Sequence, residues 1–105
     1  MPDFDELFKM AEQARAGLMK AQEDLEKIEV EGLSGGGLVR IRATAKGRIL
    51  AVDIDESLLV PAEKQMVEDL VAAAINDARM KADQAAQGEM QKMTAGLPPG
   101  FKLPF

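Results

Sequence analysis

A chain of 105 residues, 47% hydrophobic and 30% charged, has the size and balance of a single soluble domain, for which about 100–150 residues is typical. It contains no Cys, His, Trp or Tyr, which excludes disulfides, thiolate and imidazole metal sites, cysteine nucleophiles and any Ser-His-Asp triad. Net charge is −5, yet residues 32–52 carry Arg40, Arg42, Lys46 and Arg48 with no acid, between two acidic flanks.

These features set the expectations. No apolar run approaches the ~20 residues needed to cross a bilayer, and the opening MPDFDEL is acidic where a secretory signal would be basic. A cytoplasmic, non-enzymatic protein follows, because no nucleophile or acid–base constellation is left. The acidic total opposes binding to nucleic acid by bulk charge, although a local basic patch remains. The core must be thin and aliphatic, with Phe only at positions 4, 8, 101 and 105, and a partner chain is expected to complete it.

Residues 1–28 read as a helix. Phe4, Leu7, Ala11, Ala14, Leu18, Ala21, Leu25 and Ile28 recur at alternating spacings of three and four, a 3.5-residue period that marks helices wound against one another. Asp3, with Glu6 three residues on, suits its first turn. The seam fits a dimer interface or a second helix of the same chain equally well.

Over residues 28–54 the period falls to two. Ile28 and Val30 alternate with Glu29 and Glu31, the segment GLSGGG turns the chain, and Val39, Ile41, Ala43 and Ala45 alternate with Arg40, Arg42, Thr44 and Lys46. Lys46-Gly47 reads as a two-residue hairpin loop before a third strand, Ile49 to Ile54. That loop sets Ala45 opposite Arg48, Ala43 opposite Leu50, Ile41 opposite Val52 and Val39 opposite Ile54, with Arg40 facing Asp53.

Residues 57–96 read as a short turn at Ser57-Leu58-Leu59 followed by a long helix that opens at Pro61. Its apolar stripe, from Val67 through Ala74 and Ala78 to Ala85, grows smaller toward the end. Prolines keep the tail, residues 97–105, out of the helix, and its Leu97, Phe101, Leu103 and Phe105 are expected to lie against something apolar. The whole is one domain, 1–105, of α+β class and α-β-β-β-α order, with a three-stranded antiparallel meander and two long helices.

At this point the sequence resembles the YbaB/EbfC family of small nucleoid-associated proteins. The resemblance rests on the heptad helix, on Glu29–Gly32 leading into SGGGLV, on VDID with SLL, on EDLVAAAINDA and on LPPGF, in order along the chain. It implies a tweezers-like homodimer whose sheets share a core and whose helices project as arms. It also implies a bacterial, cytosolic protein associated with the nucleoid and bound to duplex DNA. Departures are Lys46-Gly47, where the family often has Asn-Gly, and the acidic, Ala-rich helices.

Candidate DNA contacts are cations. On the strands and turn they are Arg40, Arg42, Lys46 and Arg48, with Glu29, Glu31 and Asp53 placed to neutralise the first two, leaving Lys46 and Arg48 least neutralised. On the helices they are Lys9, Arg15, Lys20, Arg79 and Lys81, with Lys20 at helical spacing from Glu23 and Asp24. Without Trp or Tyr to stack on bases, contact with the phosphate backbone of duplex DNA is expected, serving nucleoid organisation or gene regulation. The alternative is an adaptor for DNA-repair or replication proteins. No cofactor is expected. Asp53, Asp55 and Glu56 make no calcium loop, because Leu58 stands where such a loop needs Gly.

Overall fold

The computed structural model describes residues 3–94. Helix α1 spans Phe4–Lys27, the strands are β1 (Glu29–Ser34), β2 (Val39–Thr44) and β3 (Ile49–Ile54), and helix α2 spans Lys64–Thr94. Short 3-10 turns at Gly35–Gly37, Glu56–Leu58 and Pro61–Glu63 connect them. The strands form one antiparallel sheet in the order β1-β2-β3. The α+β meander is therefore as expected; the expectation for residues 97–105 lies outside the described residues.

Asp3 opens α1 by accepting the Asp5 N–H at 2.9 Å, which satisfies one of the free donors of the first turn. Alternation then sorts the sheet into two faces. Val39, Ile41 and Ala43 of β2 point to one side and are fully buried, whereas Arg40 and Arg42 point to the other and are exposed. Helix α2 lies on the apolar side and seats Ala74 and Ala78 against that row.

How closely α2 approaches depends on Gly32, which pairs with Ile41. A Cβ built on Gly32 would stand 2.6 Å from the Ala78 Cβ, and nearer still to backbone atoms of Ala74 and Ala78. Glycine here and alanine there let backbone meet backbone. Polar groups of α2 also cover the free edge of β1. The Asp77 carboxylate accepts the Leu33 N–H at 2.9 Å, the Lys81 ammonium donates to the Glu31 carbonyl at 2.9 Å and to Asp77 at 2.9 Å, and the Ser34 hydroxyl donates to the Leu70 carbonyl at 2.6 Å. These bonds run α2 antiparallel to β1 and give the strand's outer edge the partners a sheet edge lacks.

The hydrogen bond from the Leu33 N–H, followed by the one from Lys81, holds the Asp77 carboxyl below its ordinary value of 3.8. The folded state thus prefers the charged form, so this stabilisation is complete above the ordinary value and fades as pH falls through the lowered one. Asp77→Asn is expected to lower the melting temperature at pH 6. The gap from the parent should narrow on acidification to about pH 3, below the ordinary carboxylate value, as thermal melts across that range would record.

The hairpin between β2 and β3 differs from the sequence expectation. The Gly47 N–H donates to the Thr44 carbonyl and the Thr44 N–H to the Arg48 carbonyl, both at 2.9 Å, so the loop has three residues, Ala45-Lys46-Gly47. Of these three only Gly47 enters the left-handed region, at φ 95°, and no described non-glycine residue of the chain does. A two-residue loop would have forced Lys46 to positive φ as well, which a side-chain-bearing residue resists by about 1–2 kcal/mol. The longer loop moves the register. Ala43 pairs with Ile49 rather than Leu50, across an irregularity between Arg42 and Ala43, while Arg40–Asp53, Ile41–Val52 and Val39–Ile54 pair as expected. Gly47→Val is therefore expected to cost about 1–2 kcal/mol in a denaturant titration, whereas Lys46→Gly, at negative φ already, should bring no gain.

Candidate nucleic-acid interface

The nine sequence-predicted cations fall into three groups. On the polar face of the sheet the charges offset one another. Arg42 lies 3.9 Å from Glu29, and the Arg40 Nε donates to the Gly37 carbonyl at 3.3 Å opposite Asp53. Together with Glu31 and Ala51 they line a shallow depression of about 190 Å³. A phosphate there would meet carboxylates as well as guanidinium groups.

The hairpin turn corrects an expectation. Lys46 and Arg48 are not the least neutralised cations, for both lie 3.9 Å from the Glu26 carboxylate at the end of α1. The three-residue loop folds the turn toward that helix end. Lys46 also shares a cleft of about 320 Å³ with Arg79 and Asp83, floored by Ile49, Ile75 and Ala82. Arg79 itself is exposed and makes no ion pair among the described residues.

Lys81 is engaged with Glu31 and Asp77 as described above, so its charge is committed to holding α2 on β1. The cations of α1 are otherwise. Lys9, Arg15 and Lys20 are exposed, and among the described residues none forms an ion pair, Lys20 with Glu23 or Asp24 included. At about 3.6 residues per turn, Lys9 and Lys20 lie on one line of the helix opposite the apolar seam. Lys27, exposed in the last turn, continues that line. Lys27 was missed as a candidate, and its spacing of seven from Lys20 was the signal available.

The seam is only partly covered. Leu25 is buried, Leu18 and Ala21 are half-buried, and Phe4, Leu7, Ala11 and Ala14 are exposed. Its C-terminal end packs within the chain, where α1 and α2 touch. No described helix is long and apolar enough to cross a membrane. Asp55 spends its carboxylate capping the turn after β3, accepting the Ser57 hydroxyl and then its N–H, and both bonds hold its pKa below 3.8.

The chain belongs to the YbaB/EbfC DNA-binding family, whose profile matches residues 1–97. It is 48% identical over 105 residues to a nucleoid-associated protein of Nitrobacter hamburgensis, with 98% of this chain and 99% of that one aligned. Its fold is similar to the crystal structure of an uncharacterized protein from Helicobacter pylori. That match has a TM-score of 0.76 at 22% identity over 89% of this chain and 98% of the other.

Proposed function

We propose that the protein is a non-enzymatic, homodimeric, nucleoid-associated DNA-binding protein that holds duplex DNA through its phosphate backbone. The observation that carries the reading, beside family membership, is the unpaired line of Lys9, Lys20 and Lys27 along the outer face of α1, with Arg15 exposed on a different face of the same helix. Ammonium groups without carboxylate partners are free to replace the counterions of a phosphate backbone. Arg79, with Lys46 and Arg48 at the hairpin, supplies a second group of contacts. Lys81 ranks below these because its 2.9 Å bonds to Asp77 and the Glu31 carbonyl hold α2 on β1, and Arg40 and Arg42 do because Glu31 and Asp53 line the same depression.

A second copy is called for by what α2 leaves uncovered. It lies over β1 and β2 and stops short of β3, so Val52 is 51% exposed although it pairs with the fully buried Ile41. Ile49, Leu50, Leu59, Val60 and Met66 are exposed as well. The radius of gyration is 19.9 Å, against about 13 Å for a compact domain of 100 residues. A thin core, an open apolar face and an extended outline together suit a protomer whose core is completed by its own copy.

The test is fluorescence anisotropy of a labelled duplex at several salt concentrations. Binding should weaken with salt, the logarithmic slope being about −0.9 per phosphate neutralised. Replacing Lys9, Lys20 and Lys27 by Gln should flatten the slope by about one unit for each lysine that touches phosphate. An unchanged slope would remove α1 from the interface. Absence of binding even at low salt would move the function to a protein partner.

A further inference from the structure

We propose that Glu26 is a brake on the hairpin's grip on phosphate, a carboxylate that occupies Lys46 and Arg48 until DNA competes for them. The inference rests on the DNA-binding reading above and names the residue that sets its strength at this contact. Glu26 stands next to last in α1 and divides its two oxygens between two cations. Its Oε1 lies 3.9 Å from the Lys46 Nζ and its Oε2 3.9 Å from the Arg48 Nη1. It forms no other ion pair among the described residues. One carboxylate thus faces two cations, as a bridging phosphate would.

Holding the fold together does not account for this placement. Backbone already fastens the turn to the end of α1, because the Ala45 N–H donates to the Ile28 carbonyl at 2.9 Å and Glu29 pairs with Thr44 directly beyond. Nor does the helix favour it. The last turn is the negative end of the helix dipole, which suits a cation such as Lys27 and disfavours a carboxylate. A residue that works against its own helix, beside a turn that is anchored without it, is explained by its effect on charge. Both pairs are long and open to solvent, with the Lys46 side chain 48% and the Arg48 side chain 71% exposed, so a phosphate oxygen can replace Glu26. Lys46 also lines the cleft that holds Arg79, and a phosphate drawn there by Arg79 would pull Lys46 from the carboxylate. The brake therefore lowers affinity without abolishing it.

Anisotropy of a labelled duplex tests this on the full-length protein. Glu26→Gln should tighten binding by roughly two- to fivefold, the range of an exposed ion pair, and steepen the logarithmic salt slope by up to about one unit. Glu23→Gln removes the same charge one turn earlier, where no cation is paired with it among the described residues, and should gain less. Adding Glu26→Gln to a protein already carrying Lys46→Gln and Arg48→Gln should likewise gain less than in the parent. An equal gain from Glu23→Gln would reduce the effect to general repulsion and overturn the brake. Unchanged or weaker binding by Glu26→Gln, beside a parent that binds, would overturn it while leaving the DNA reading intact. If neither protein binds duplex at low salt, the DNA reading falls and this inference with it.

Discussion

Replacing Gly32 with valine is expected to be the most damaging single change in the chain, lowering the melting temperature by more than about 10 °C. The side chain would have to occupy space already held by backbone atoms of Ala74 and Ala78, which cannot swing aside as a flexible side chain can. Overpacking a core costs about 1–3 kcal/mol, occasionally more, and here the obstacle is a helix backbone. Relief requires α2 to lift from β1, which also breaks the bonds from Leu33, Glu31 and Ser34 to that helix. The control is Gly17→Ala, where an added Cβ meets nothing within 4 Å. Alanine there should stabilise the helix by up to about 1 kcal/mol. Similar melts for the two variants would mean that the seat of α2 is not at Gly32.

The second large effect is expected from Val52→Asp. Val52 lies on the apolar side of β3, half uncovered, beside the buried Ile41. In a two-fold assembly each copy brings one such residue, so the substitution buries two like charges in one apolar contact. Desolvating them costs on the order of several kcal/mol, and every 1.4 kcal/mol is about tenfold in dissociation constant. Sedimentation should therefore shift from a dimer to the 11.3 kDa single chain, with the salt slope of DNA binding falling by about half as one set of phosphate contacts is lost. Asp53→Asn, one residue along but on the polar face, should leave the mass unchanged. A dimer that tolerates Val52→Asp would place the contact elsewhere.

Much of the fold was legible because it is periodic. The seam from Phe4 to Ile28 announced a helix, and the alternation from Val39 to Ala43 fixed which side of the sheet is apolar. The Arg40–Asp53 pairing, read from the count across the hairpin, holds because the irregularity between Arg42 and Ala43 absorbs the extra loop residue. What escaped was set by conformational cost or by contacts between distant elements. One residue's intolerance of positive φ, at Lys46, lengthened the hairpin and shifted Leu50 out of register. The bonds from Ser34, Asp77 and Lys81 across β1 and α2 leave no periodic trace, so Lys81 read as a free surface cation when it is a strut. At the candidate interface, residue type was readable but pairing was not. Glu26 lies twenty residues or more from Lys46 and Arg48 in sequence, and only the folded turn brings it near.

The unequal edges of the sheet set how far assembly can go. β1 is closed off by the polar side chains of α2, while β3 keeps its apolar face open, so the sheet offers one adhesive side and one inert side. Such a unit has no head-to-tail register in which to propagate. In the proposed dimer the contact is isologous, the same patch meeting itself about a two-fold axis, so it covers the open β3 face of both partners at once. Growth through that face would then terminate at a pair. A protein that must remain discrete on a crowded polymer gains from this geometry, because stickiness at both edges would let it string into fibres.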